Sequence, residues 1–212
     1  MPKAISRVIR VLISSDFVLN AGWGFIGPVF AIFLVQDIAA GNIAEGAKIA
    51  GFSSLIYWMV KSSLQVPIGK YLDKNHGEKD DFWAMVVGTF LTGITPFGFL
   101  ISSQAWHIYG FQIIHAIGMA MVIPSWFAIF TRHIDRGREA FEWSLRSTSL
   151  GFAAGIAGAV GGILASIFGF KIVFILVGSF TMISTILLLL IHKEMAPHDN
   201  LFPRFPMFKF PS

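Results

Sequence analysis

Pro67-Ile68-Gly69-Lys70-Tyr71-Leu72-Asp73-Lys74-Asn75-His76-Gly77-Glu78-Lys79-Asp80-Asp81 is the most charged stretch of an otherwise apolar chain. It joins two long hydrophobic segments through a short turn that carries glycine and charges of both signs. Of the 212 residues, 55% are hydrophobic and only 13% are charged; a soluble domain carries roughly 25%. So little charge cannot cover a water-facing surface, so the bulk of the chain belongs in lipid. The stretch 67–81 then lies in water at a bilayer surface, and the crossings are counted outward from it.

A helix crosses the hydrocarbon core with about 20 apolar residues. Charge-free runs of that size are Phe17–Gln36, Phe82–Ser103, Trp106–Thr131, Ser147–Phe170 and Ile172–Leu190, and a run from Ala47 to Tyr71 is interrupted by Lys61. With their flanks they predict an all-α membrane protein. Its six transmembrane helices lie over about 11–36, 47–71, 82–103, 106–131, 144–168 and 170–191, in one domain over 1–194 with backbone groups satisfied inside each segment. Lys3, Arg7 and Arg10 precede the first run as in a secretory signal, but the run is longer than a signal's apolar region and reads as a retained helix.

Lys and Arg set the orientation. One side holds Lys3, Arg7, Arg10, Lys70, Lys74, Lys79, Arg132, Arg136, Arg138, Arg146, Lys193, Arg204 and Lys209; the other holds Lys48 and Lys171. This predicts an integral, multi-pass protein of the plasma or inner membrane with both termini cytoplasmic. Residues 195–212 form a tail too rich in Pro for a helix. It is either a disordered end or a segment lying on the anionic leaflet with its Phe rings inserted.

Several functions drop out. The sequence has no Cys, no phosphate-binding loop, no His-Glu-x-x-His and no Gly-x-Ser-x-Gly elbow, so neither enzyme chemistry nor a cofactor or metal is expected. The cations sit in separate short loops rather than one patch, which argues against nucleic acid. A weak repeat is present: Gly22 to Pro28 and Gly118 to Pro124 share a spacing, Phe30 and Trp126 follow, and Ala31-Ile32-Phe33 matches Ala128-Ile129-Phe130. The two copies fall on helices of opposite direction, and a three-plus-three inverted repeat is a transporter device.

The 2–3 turn resembles the signature loop of the major facilitator superfamily, Gly-x-x-x-Asp-Arg/Lys-x-Gly-Arg/Lys followed by a basic residue. Gly69, Asp73 and Lys74 match in place, Gly77 and Lys79 match after one extra residue, and Glu78 stands where a cation is usual. Gly118 and Pro124, the cations Arg132 to Arg138, and Gly151, Gly155, Gly158, Gly161 and Gly162 before Phe168-Gly169-Phe170 are similar to the family's N-terminal half. The family's Arg-x-x-Gln-Gly motif is degraded, with Gln112, His115 and Ala116 in those places. The resemblance covers nearly the whole chain but stops at six helices, where the family has twelve.

That resemblance implies a secondary active transporter that moves a small solute by alternating access, the solute lying between two halves related by an axis along the membrane normal. A parallel homodimer would recreate the twelve-helix shape. The alternatives are a non-transporting scaffold or receptor, and one half of a split transporter that needs a second polypeptide. The family also implies that Asp73 pairs with a helix N-terminus of the other half. In a homodimer this puts Asp73 near Arg146 of the partner subunit, for a gate set of Gly69, Asp73, Lys74, Gly77, Lys79 and Arg146.

Candidate cavity residues come from residue type and depth. Lys61 lies about ten residues, roughly 15 Å, from the cytoplasmic end of its helix, where an ionisable group is a functional candidate by default. It shares a helical stripe with Ser54, Trp58 and Gln65; it either lines a cavity or snorkels along lipid. Asp16, Asn20 and Trp23 share a face of the first helix. Asp16 is expected either to neutralise Lys61 or to carry a coupling proton. Gln112 and His115 lie one turn apart in the fourth helix, where His115 either titrates or packs.

Overall fold

The computed structural model describes residues 5–75 and 77–195, and these are almost wholly helical. The α-helices are α1 (Arg7–Ile26), α2 (Phe30–Phe33), α3 (Ile43–Asn75), α4 (Glu78–Leu100), α5 (Ala105–His133), α6 (Glu139–Phe168) and α7 (Phe170–Leu189). A π-helical turn, Leu34–Ile38, continues α2, and a 3-10 turn covers His192–Glu194. Among the described residues, five helical segments are long and apolar enough to cross a membrane: α1, α4, α5, α6 and Phe170–Glu194. The chain is thus an integral, multi-pass membrane protein. The remaining long helix, α3, has 33 residues but carries Glu45, Lys48, Lys61, Lys70, Asp73 and Lys74.

Two expectations need correction. The first run is not one helix, because α1 stops at Ile26 and a new turn starts at Phe30. Pro28 has no N–H to donate and its ring crowds the preceding turn. The charged breaks at 72–81 and 132–146 are also mostly helix. α3 runs through Asp73 and Lys74, α4 begins at Glu78, and α6 begins at Glu139. Their polarity marks where helices leave lipid rather than where they end. Glu78, Asp80 and Asp81 in the first turn of α4, and Glu139 and Glu142 in that of α6, meet the positive end of each helix dipole. Finally, the Pro/Phe-rich tail lies outside the described residues.

The packing pairs define an open arc. α5 packs on α3 and α4, α1 packs on α6 and α7, and α4 packs on α7. Read around the bundle the order is α3, α5, α4, α7, α1, α6, with α3 and α6 at the two free edges. α1 and α5 also touch at the inner bend. The closest approaches need glycine. A Cβ on Gly118 would lie 2.6 Å from the Gly88 carbonyl oxygen of α4, and one on Gly161 would collide with the Phe25 carbonyl oxygen of α1. Small residues at such crossings let membrane helices associate.

Two apolar clusters bracket the middle of the bundle. One gathers Phe25, Phe33, Phe99, Phe174 and Val177, the other Leu12, Phe82, Met85, Trp126, Phe130 and Ile191. Several buried hydroxyls are satisfied locally or across helices, whereas Ser53 Oγ, Thr92 Oγ1 and the indole N–H groups of Trp23 and Trp126 are buried without a hydrogen-bond partner among the described residues. Thr89 Oγ1 donates to the Met85 carbonyl at 2.8 Å, and Ser184 Oγ of α7 donates to the Ser15 carbonyl of α1 at 2.8 Å.

Candidate functional site

On the open side of the arc, α1, α3, α5 and α6 enclose a chamber of about 420 Å³. Asp16, Asn20 and Trp23 of α1 line it, with Tyr57 of α3, His115, Met119, Trp126 and Phe127 of α5, and Arg146 of α6. A second chamber of about 300 Å³ adjoins it, with Ile26, Phe30, Ser54, Trp58, Phe99 and Gln112 on its walls. Trp23, Tyr57 and His115 line both chambers. The three rings form the partition between them: Trp23 stacks on His115 at 3.9 Å between centroids and 10° between planes, and Tyr57 lies 4.7 Å from the same imidazole. Gln112 Oε1 stands 3.4 Å from His115 Nδ1.

At the far end of the first chamber, Arg146 Nε donates to Asp16 Oδ2 at 2.9 Å. Asn20 Nδ2 donates to Asp16 Oδ1 at 2.9 Å and to the Asp16 carbonyl at 2.8 Å. Both carboxylate oxygens therefore accept a hydrogen bond. The Arg146 guanidinium also covers the Trp126 ring, 4.1 Å from its centroid, a cation–π contact. Within this chain Asp16 is thus paired with Arg146, and Lys61 is not its partner. The arginine side chain reaches inward from α6 and finds the nearest carboxylate on α1, the helix against which α6 packs.

The other candidates fall as follows. Trp58 and Ser54 line the second chamber, as does Gln112. Lys61 and Gln65 line neither chamber. Lys61 is only 8% exposed, with Nζ 4.3 Å from the Trp58 ring centroid and 5.8 Å from that of Tyr57. Among the described residues it makes no ion pair with a carboxylate. In the gate stretch, Asp73, Lys74 and Lys79 are exposed, Gly77 precedes α4, and Gly69 faces Pro124 of α5.

A buried charge cluster at the same end of the bundle was not read from the sequence. Asp81, 1% exposed, pairs with Arg132, and Glu78 Oε1 lies 3.0 Å from His133 Nε2. Glu142 Oε2 accepts from the Asp135 backbone N–H at 3.4 Å. Glu78, which departs from the resemblance's charge pattern, is thus tied to α5. The run of charges in Arg132 to Arg146 was the available signal. No group of His, Cys, Asp or Glu suited to a metal occurs among the described residues.

The family model of the Major Facilitator Superfamily matches residues 12–209. The chain belongs to this superfamily. It is 24% identical over 183 residues to an uncharacterized MFS-type transporter of Methanocaldococcus jannaschii, covering 86% of this chain and 45% of that protein. It is also 24% identical over 186 residues to a multi-drug resistance efflux pump PmrA homolog of Lactococcus lactis, covering 85% and 45%. The chain thus spans less than half the length of these relatives. The crystal structure of the POT family transporter PepTSo superposes with a TM-score of 0.76 at 14% identity, over 97% of this chain and 41% of that one, which shows the major-facilitator fold. The superfamily is one of transporters, not of enzymes.

Proposed function

We propose that this chain is a six-span half-transporter that carries a small solute by alternating access as a parallel homodimer, with both termini cytoplasmic. The observation that carries the reading is the pair of chambers that share Trp23, Tyr57 and His115 as a common wall. A solute path that opens to alternate sides needs a barrier that a small tilt of helices can part. Three side-chain rings from three different helices meet that need. Asp16, the carboxylate among the lining residues of the first chamber, is the proposed carrier of a coupling proton.

Several features support the finer parts of this reading. A 33-residue α3 is about 50 Å long, enough to serve as the sixth span. Its polar residues suit a helix facing a cavity or a partner rather than lipid. Exchanging α1, α3 and α4 for α5, α6 and α7 interchanges α4–α5 with α1–α7 and α1–α6 with α3–α5 and leaves α4–α7 in place, as a three-plus-three repeat requires. Gly22 and Gly118, equivalent in the sequence repeat, are both points of close approach, to α7 and to α4 respectively. The free edges expose Trp58, Met59 and Val66 on α3, and Phe152, Ile156 and Ile163 on α6. Gly151, Gly155 and Gly162 of α6 meet nothing within 4 Å. A second copy in the same orientation would cover these edges and bring the exposed Asp73 to the first turn of α6 of the other copy.

The test combines mass, crosslinking and flux. A detergent-solubilised particle should hold two copies. Asp73→Cys should crosslink to Ala140→Cys of the partner subunit in membranes, the native chain having no Cys. Proteoliposomes should show counterflow for at least one of a panel of labelled organic acids, amines and sugars. A monomeric particle would remove the homodimer, and a wholly inert protein would favour the scaffold.

A further inference from the structure

The cavity that the transport reading rests on has an unequal supply of hydrogen-bonding partners. Asp16 has both oxygens occupied, by Asn20 and by Arg146. Arg146 uses only Nε in that contact; its two terminal nitrogens make no other hydrogen bond or ion pair among the described residues. A guanidinium with its terminal nitrogens free presents a fork matched to a carboxylate. The charges are unequal too. Asp16 and Arg146 cancel, whereas Lys61, buried beside Tyr57, has no carboxylate partner among the described residues. One positive charge is left over next to the partition. The remaining walls of the first chamber combine the aromatic rings of Trp23, Tyr57, His115, Trp126 and Phe127 with the aliphatic side chains of Leu19, Met119, Val122 and Ile123.

We infer that the solute of this cavity is an organic anion with a planar aromatic body, its carboxylate held by the free fork of Arg146 and its ring stacked against the Trp23–His115–Tyr57 partition. A cationic solute would find its natural partner, Asp16, already paired with Arg146 and Asn20, and would meet Arg146 and the field of Lys61. A neutral aromatic would stack but leave the fork unpaired, which costs selectivity in a desolvated site. This deepens the transport reading by naming the solute class.

Binding to the purified full chain separates this inference from that reading, because it needs no flux. The probes are benzoate, its neutral analogue benzamide, benzylammonium, and acetate as an anion without a ring, followed by the fluorescence of Trp23 and Trp126. Benzoate should bind saturably, and benzamide, benzylammonium and acetate each about tenfold or more weakly, the loss of a charged hydrogen bond or of ring stacking. Arg146→Lys should weaken benzoate and leave benzamide unchanged. Arg146→Gln should abolish the preference. The double variant Asp16→Asn/Arg146→Gln removes both charges of the pair, so a loss of preference there cannot be blamed on a stranded carboxylate. Benzylammonium or benzamide binding as tightly as benzoate, no benzoate binding, or a preference that survives Arg146→Gln, would overturn the inference. If benzoate binds as described but no solute crosses proteoliposomes, the anion site stands and transport falls. If only amines or sugars cross, transport stands and the anion site falls.

Discussion

Asp16 of α1 and Arg146 of α6 meet through Oδ2 and Nε at 2.9 Å across 130 residues of sequence. The pair ties a free edge of the arc to its inner helix at the mouth of the first chamber. The arginine side chain keeps 21% of its surface exposed and the aspartate 9%, so the charges are shielded by protein on one side and open to the chamber on the other.

Breaking this pair from one side should strand a charge. Asp16→Ala leaves Arg146 without its counter-ion and is expected to cost about 2 kcal/mol, below the 3–5 of a fully buried pair because the arginine retains some solvent. Asp16→Asn/Arg146→Gln should recover most of that loss. Thermal unfolding in detergent reads both, and equal melting temperatures for the single and double variants would contradict the assignment.

The α1–α6 contact gives a second expectation. Gly161 has no room for a Cβ against the Phe25 backbone, whereas Gly155 faces open space. Gly161→Ala should destabilise by roughly 1–3 kcal/mol, the usual cost of overpacking, and Gly155→Ala should leave the melting temperature of a monomeric particle unchanged. In the proposed dimer, Gly155→Ala would instead show in the particle mass.

Those two glycines also show what the sequence could and could not reveal. The run Gly151 to Gly162 announced a close-packing helix, but which glycine faces a neighbour depends on the rotation of α6, and that is set by the Phe25 backbone of α1. Charge-free runs located the apolar segments because lipid demands them. The same logic misplaced helix ends, since charged residues such as Glu78 and Glu139 remain helical once outside the hydrocarbon. Asp16 drew attention as a carboxylate in an apolar helix, yet its partner lay too far along the chain for any periodicity to identify. Lys61 was the nearest cation by depth, but α3 packs on α5 rather than on α1, so the two never meet.

The charge cluster between α4 and α5 leads to a third expectation. Asp81 is 1% exposed and paired with Arg132. Arg132→Gln leaves that carboxylate buried without its cation, whereas Asp81→Asn leaves an arginine with a quarter of its side chain exposed. The first should therefore lower the melting temperature more than the second, since a buried unpaired charge is the costlier remnant. The reverse order would show that Arg132 depends on the pair more than Asp81 does.

The partition can be probed through ring shape. Trp23 and His115 lie face to face at 3.9 Å, so Trp23→Phe should keep the barrier and Trp23→Ala should merge the two chambers. In proteoliposomes that show counterflow, Trp23→Ala is expected to abolish exchange or turn it into a passive leak, and Trp23→Phe to retain it. Full exchange by Trp23→Ala would mean that the rings are packing alone.

Lys61 sets stability against function. The residue is 8% exposed, and its ammonium rests on Trp58 and Tyr57 and has no carboxylate partner among the described residues. A cation at membrane depth costs roughly 2.5–3.5 kcal/mol on insertion scales, and the two ring contacts return about 1 kcal/mol each. The balance is unfavourable unless an anion visits. Lys61→Gln should therefore raise the melting temperature of the empty protein while weakening benzoate, and Lys61→Arg should preserve both properties more closely. Benzoate should also stabilise the native protein more than the Lys61→Gln variant at equal concentration, because a ligand stabilises in proportion to its affinity for the folded state. A variant that melts lower when empty would show instead that the ammonium–ring contacts outweigh the cost of burying the charge.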